Sequence, residues 1–220
     1  MLKKYINNAL PPLNEKDTLI KALGWMDEFK VMHLPVLSVK GELLGIISEE
    51  DIVDNDTVEG TIAEAHMHYQ MLFVSSKAHV LDIIKTFAIT NSSVVPVIDE
   101  HEQYVGCVSF ESVMKEIGHI SFFKDLGGII ALEMNEHDYS LTEIANIVES
   151  NGAKILGTYI KSHQDSTKIT VTVKVNRNEI SDVLQTFERY EYNVVGTFDA
   201  KEYEETQQDK FDQFMNFLNT

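Results

Sequence analysis

Two short runs, 61 residues apart, hold the polar side chains with most chemical promise. Gly45-Ile46-Ile47-Ser48 is followed by Glu49-Glu50-Asp51, and Gly106-Cys107-Val108-Ser109 by Phe110-Glu111-Ser112. Each Ser ends an apolar, strand-like stretch and opens a helix. A hydroxyl at that place sits beside backbone N–H groups that have no partner within the helix. In the first run Asp51 stands three positions further on, and a carboxylate can accept several hydrogen bonds at once. The same spacing also satisfies a capping box, in which Ser accepts from the helix and the acid returns to the cap without any ligand. In the second run Ser112 stands where the acid would be. The two runs are therefore chemically unequal.

The other reactive side chains are sparse. Cys107 is the only cysteine and lies in the apolar run Val105-Gly106-Cys107-Val108, so it reads as a buried strand residue and not as a nucleophile or disulfide partner. His66 and His68 are spaced for chelation only in an extended chain. With no second ligand pair nearby, they read as a solvated connector. The adjacent pairs Glu49-Glu50 and Glu204-Glu205 are solvated faces, not a positioned acid and base. No phosphate-cradling loop, dinucleotide fingerprint, hydrolase elbow or zinc-protease motif occurs. The formal net charge of -17 argues against a nucleic-acid partner. No run is long and apolar enough for a membrane span and no leader pattern opens the chain, so a cytoplasmic protein is expected.

The elements that must position these residues come as a duplication. Leu13 to Leu19 matches Val74 to Val80, Leu34-Pro35-Val36 matches Val95-Pro96-Val97, and Gly45 to Ser48 matches Gly106 to Ser109, all in one register. Leu19, Ala22, Leu23, Met26 and Phe29 recur at helical spacing, as do Val80, Ile83, Ile84, Phe87 and Ala88. Short apolar strands follow at 33–39 and 43–47, and again at 94–98 and 104–108. Each unit thus reads β-α-β-β-α, over 1–60 and 61–120. After a connector at 117–125 the pattern changes. Strands at 128–134, 153–162, 168–175 and 193–198 alternate with helices built on Leu141, Ile144, Ala145 and Val148, and on Ile180, Val183, Leu184 and Phe187. The order β-α-β-β-α-β over 127–200 is a ferredoxin-like layout, an α+β unit with helices on one face of its sheet. Thr170, Thr172 and Lys174 alternate with Val171, Val173 and Val175, which predicts one wet face. Phe211, Phe214, Met215 and Leu218 predict an amphipathic helix in the tail at 201–220.

The paired apolar-Pro-Val strands and Gly-apolar-apolar-Ser motifs resemble a tandem of cystathionine-β-synthase (CBS) domains, a Bateman module. That family pairs its repeats into a disc, and many members bind adenosine nucleotides or S-adenosylmethionine in the cleft between them. The resemblance implies that Asp51 holds a ribose, with Ser48 near the phosphate. It places His33, Leu34, Leu13 and Val95 along the cleft, and Ser109 at the matching place in the second repeat. Ser112 in the acid's position implies at most one competent site. The third unit resembles an ACT domain by element order. Its segment His137-Asp138-Tyr139-Ser140-Leu141 keeps Leu141 but lacks the Pro and Gly of the family's turn, which favours subunit pairing over an amino-acid site. The combination is similar to regulatory proteins of the acetoin-utilization type. It implies a non-catalytic homodimeric sensor of AMP, ADP, ATP or S-adenosylmethionine that acts on an enzyme or transporter. The alternative is a ligand-free structural or interaction module that dimerises through both parts.

Overall fold

The computed structural model describes residues 5–6, 10–55, 59–164 and 166–198. The tail helix expected over 201–220 lies outside the described residues. The chain forms two compact units, residues 1–118 and 119–220.

The first unit repeats one motif. In the first copy, strand β1 (Leu13–Asn14), helix α1 (Leu19–Phe29), strands β2 (His33–Leu37) and β3 (Leu43–Ser48) and helix α2 (Glu49–Val53) follow in order. The second copy runs β4 (Val74–Ser75), α3 (Val80–Thr90), β5 (Val94–Ile98), β6 (Tyr104–Ser109) and α4 (Phe110–Ile117). Each copy makes a three-stranded sheet in which the first strand runs parallel to the second and the third antiparallel to it. The equivalence extends to details. The antiparallel register slips between Val36 and Leu37, and again between Val97 and Ile98. Helix α1 ends on Lys30 and α3 on Asn91, both in the left-handed conformation that stops a helix.

The two copies share their cores. Leu13, Leu19, Met26, Leu34 and Ile47 pack with Val94 and Cys107 of the second copy. Val95, Val97, Ile83 and Phe87 pack with Ile46 of the first. Ile46 and Cys107 are equivalent positions, so each third strand lends one side chain to the other copy's core. The connector also holds the halves together. Gln70 and Ile46 exchange backbone hydrogen bonds of 2.9 and 3.0 Å. Gly45 permits this approach: its φ is +141°, and a Cβ there would stand 2.7 Å from the Gln70 carbonyl oxygen. The expected solvated connector at His66–His68 is only partly so. Met67 between them is buried in the first core, where its sulfur meets the Asn55 amide at 3.3 Å.

The second unit has β7 (Ile129–Asn135), a 3-10 turn (Glu136–Asp138), α6 (Leu141–Ser150), β8 (Ile155–Ser162), β9 (Lys168–Val175), α7 (Ser181–Arg189) and β10 (Asn193–Phe198). Its sheet order, β10-β7-β9-β8, is antiparallel throughout and ferredoxin-like. Ile130, Leu132, Val171 and Val173 face Ile144, Val148, Val183 and Phe187 of the two helices. The expected wet face is corrected: Thr172 and Lys174 are buried. The cover is α5 (Ser121–Lys124), a short helix within the segment read as a connector. Phe122 lies on Gly157, where an added Cβ would meet its ring at 2.6 Å, and packs edge-on to Tyr159 at 5.9 Å. Gly157 and Tyr159 are the register partners of Lys174 and Thr172, so one aromatic ring shields both.

Candidate functional site

The copies meet at equivalent residues. The Met32 N–H donates to Ser93 Oγ at 3.0 Å, and 32 and 93 are 61 positions apart. The Met32 carbonyl accepts from Glu49 N–H at 2.9 Å, and its counterpart on Ser93 accepts from Phe110 N–H at 3.0 Å. A local two-fold relation therefore passes between Met32 and Ser93, and each closing helix starts beside it. His33 sits at this junction. The Ser93 N–H donates to His33 Nδ1 at 3.2 Å, and Ser93 Oγ lies at the same distance. That geometry needs an unprotonated Nδ1. Burial lowers the imidazole pKa from its ordinary value, and the Asp51 carboxylate partly opposes this by raising it.

Around the junction lies an open groove of about 320 Å³, lined by Met32, His33, Ser48, Glu49, Glu50, Val53 and Asp54. Ser48 caps α2. Its hydroxyl accepts from Asp51 N–H at 3.0 Å and donates to Asp51 Oδ2 at 2.6 Å, while Ser48 N–H approaches the same oxygen at 3.4 Å. The capping box is thus formed, a device worth about 1 kcal/mol to a helix start. It occupies Oδ2 on an exposed side chain and leaves Oδ1 outside the box.

The structure brings Ser48, Asp51 and His33 together. It does not bring the other expected residues to them. Leu13, Leu34 and Val95 have no exposed surface: the first two fill the first core and Val95 the second. They cannot flank a ligand in this conformation. Ser109 is buried as the cap of α4, accepting from Ser112 N–H at 3.2 Å. Ser112 turns its hydroxyl to the Ser109 carbonyl at 2.8 Å and the Tyr5 carbonyl at 3.4 Å. The second copy thus spends its polar groups internally. Of the other polar residues near the repeats, His79 caps α3 through Nδ1 and Lys77 pairs with Glu100 at 2.8 Å.

Ser93 and the groove-lining Met32, Glu49, Glu50, Val53 and Asp54 were not singled out as site residues. Glu50 and Asp54 share a face of α2 at helical spacing, a signal present in the sequence. Ser93 carries no such signal, because its place is set by the packing of the two copies. A second groove of about 380 Å³ lies at the hairpin turns, lined by Glu42, Leu43, Met71, Phe73, Ile98, His101, Glu102 and Gln103. Cys107 is buried, which pushes its thiol pKa up to about 11. Among the described residues no three His, Cys, Asp or Glu side chains come together as a metal-holding group. Among them no helix is long and apolar enough to cross a membrane.

Homoserine O-acetyltransferase of Methanococcus vannielii is 30% identical over 107 residues, covering 47% of this chain and 22% of its own. An uncharacterized protein of Methanocaldococcus jannaschii is 25% identical over 150 residues, 62% of this chain and 55% of its own. The chain thus spans about a fifth of the first relative's length and about half of the second's. Among solved structures, a CBS domain pair/ACT domain protein from Thermotoga maritima aligns over 53% of this chain and 94% of its own, at 21% identity and a TM-score of 0.47. A CBS domain pair in complex with 5′-methylthioadenosine and S-adenosyl-L-methionine aligns over 54% and 95%, at 25% identity and a TM-score of 0.45. The CBS domain family is matched twice, at residues 2–57 and 62–119, just over half of the sequence and both copies of the duplication. The chain belongs to the CBS domain family.

Proposed function

We propose that this protein is a non-catalytic regulatory sensor that binds one adenosine-type ligand per chain, in the groove at the start of α2. The observation that carries the reading is that Ser48 and His33 line one groove at the junction where the two copies touch, with Asp51 bonded to Ser48 beside it. Asp51 accepts from the ribose hydroxyls through Oδ1, keeping its bond to Ser48. The groove, about 320 Å³, is at the small end of ligand pockets and suits a nucleoside more than a long polyphosphate. Its rim carries Glu49, Glu50 and Asp54, which repel phosphate and favour a neutral or cationic group. S-adenosylmethionine, a sulfonium, therefore fits better than AMP, and AMP better than ADP or ATP. Because Ser93 of the second copy bonds to His33, occupancy biases the geometry between copies, which is the signal passed to a second subunit or to a regulated enzyme or transporter. The ferredoxin-like unit is ACT-like in this reading and serves subunit pairing. A thermal-shift panel of S-adenosylmethionine, AMP, ADP, ATP and free amino acids tests this. The adenosine class raises the melting temperature in that order, and amino acids leave it unchanged.

One observation favours a second reading, a ligand-free interaction module: Ser48 and Asp51 already satisfy each other as a capping box. No shift with any adenosine compound would select it.

A further inference from the structure

The sheet of the second unit has two faces, and they are covered unequally. On the inner face lie α6 and α7, over Ile130, Leu132, Val171 and Val173. Residues directly opposite each other in the register share a face, which assigns the outer one. One row across it runs Phe198, Ile129, Lys174, Gly157. The next row holds Gly196, Ala131 and Tyr159. Four strands about 4.8 Å apart leave room for two helices about 10 Å across. Helix α5 takes only the β8/β9 half, where Phe122 lies on Gly157 and Tyr159. The β7/β10 half is open among the described residues. Phe198 is 65% exposed, and a Cβ built on Gly196 would meet only its own sheet neighbours Ala131 and Phe198, at 3.7 and 3.8 Å. In the middle of the first row Lys174 is 8% exposed. Among the described residues its ammonium has no carboxylate partner, and it stands 6.0 Å from the Phe122 ring centre. A cation drawn so far out of water is stabilised by a carboxylate beside it.

We propose that residues 201–220 of the same chain, which lie outside the described residues, dock on the β7/β10 half of this outer face, beside α5. Shape, reach and charge agree. Phe211, Phe214, Met215 and Leu218 recur at helical spacing, one apolar stripe for a strip two strands wide. Strand β10 ends at Phe198, on the strip itself. From there residues 199 to 210 extend up to about 40 Å, more than the roughly 25 Å that the eight residues of β9 span. The segment carries Glu202, Glu204, Glu205, Asp209 and Asp212 against Lys201 and Lys210. Lys174 lies two strands from Phe198, about 10 Å. Four extended residues cover about 13 Å, so Glu202 already reaches it. Any outside occupant must displace a segment tethered at the strip's own edge, whose effective concentration is of millimolar order. With the outer face closed in this way, subunit pairing by the second unit is left to its strand edges and its helical face. The inference is independent of the ligand reading, since none of these residues lines the groove beside α2.

Cysteine protection in the full chain tests it, with circular dichroism to check each variant's fold. The thiol of Ala131→Cys, or of Phe198→Cys at a position already exposed, is alkylated at least about tenfold faster once Phe214→Asp and Leu218→Asp are added to the same chain, because the rate follows the fraction of time the face stands open. The thiol of Lys85→Cys on α3 reacts equally with and without those two substitutions, and native Cys107 stays silent because it is buried. In a second readout a flexible bis-maleimide links Ala131→Cys to Met215→Cys within one chain, so the product keeps the mass of a single chain under denaturing conditions. Equal alkylation rates in the two backgrounds, with no link within one chain, overturn the proposal: slow in both means that another occupant covers the face, and fast in both that nothing does. A link that forms only between two chains overturns it as well and assigns the face to a second copy.

Discussion

Acidification should loosen the junction between the copies through one side chain. His33 Nδ1 accepts the Ser93 N–H, so a proton there replaces an acceptor with a donor facing a donor. Burial also lowers the folded-state pKa below the ordinary 6.5 of the unfolded chain. The unfolded state then binds more protons between those two values, and stability falls as pH falls through that window. The contribution is complete above pH 6.5, declines toward the lowered folded pKa, and stays constant below it. One proton sets the limit, about 1.4 kcal/mol per pH unit. The assay is urea unfolding of wild type and His33→Asn, whose side-chain oxygen can replace Nδ1 as acceptor, at steps from pH 7.5 to 5. The stability difference should hold steady above 6.5 and shift in the variant's favour below it. Because the Asp51 carboxylate raises the His33 pKa, Asp51→Asn should extend the window to lower pH. A difference that stays flat throughout, or moves in wild type's favour on acidification, would refute the assigned role.

Gly45→Ala forces a Cβ to within 2.7 Å of the Gln70 carbonyl at a φ of +141°, whereas Gly41→Ala, at +83°, meets nothing within 4 Å. Equilibrium unfolding should show a backbone cost of about 1–2 kcal/mol for Gly41→Ala and a clearly larger loss for Gly45→Ala; equal losses would mean the connector is not held as described. Native Cys107 should resist maleimide at pH 7 and react only on unfolding, since burial both shields the thiol and raises its pKa to about 11. Phe122→Ala should open the covered sheet face, costing about 3–5 kcal/mol if that cover packs like a core, and should speed amide exchange along β8; an unchanged melt would remove α5 from the second unit's packing.

The duplication and the ferredoxin-like order were legible because both are carried by patterns of apolar residues and breakers, and the Pro35/Pro96 and Gly45/Gly106 pairs fixed the register. Apolar periodicity, however, marks burial without saying in which core. It could not show that Cys107 fills the first core and Ile46 the second. The family resemblance, and not periodicity, placed Leu13, Leu34 and Val95 along the cleft, and all three are fully buried. Helix α5 was missed because Ser-Phe-Phe-Lys is too short to display a period, and with it went the cover over Lys174. The inequality of the two copies was visible at Asp51 and Ser112, but its physical content lay in tertiary contacts: Ser112 binds the Tyr5 carbonyl, and Ser109 is sealed in.

Titration calorimetry of S-adenosylmethionine and AMP into wild type, Asp51→Ala and Ser112→Ala tests the central claim most directly. One site per chain is expected, at least about tenfold weaker in Asp51→Ala and unchanged in Ser112→Ala. Two sites per chain, or equal affinity with and without the Asp51 carboxylate, would contradict it.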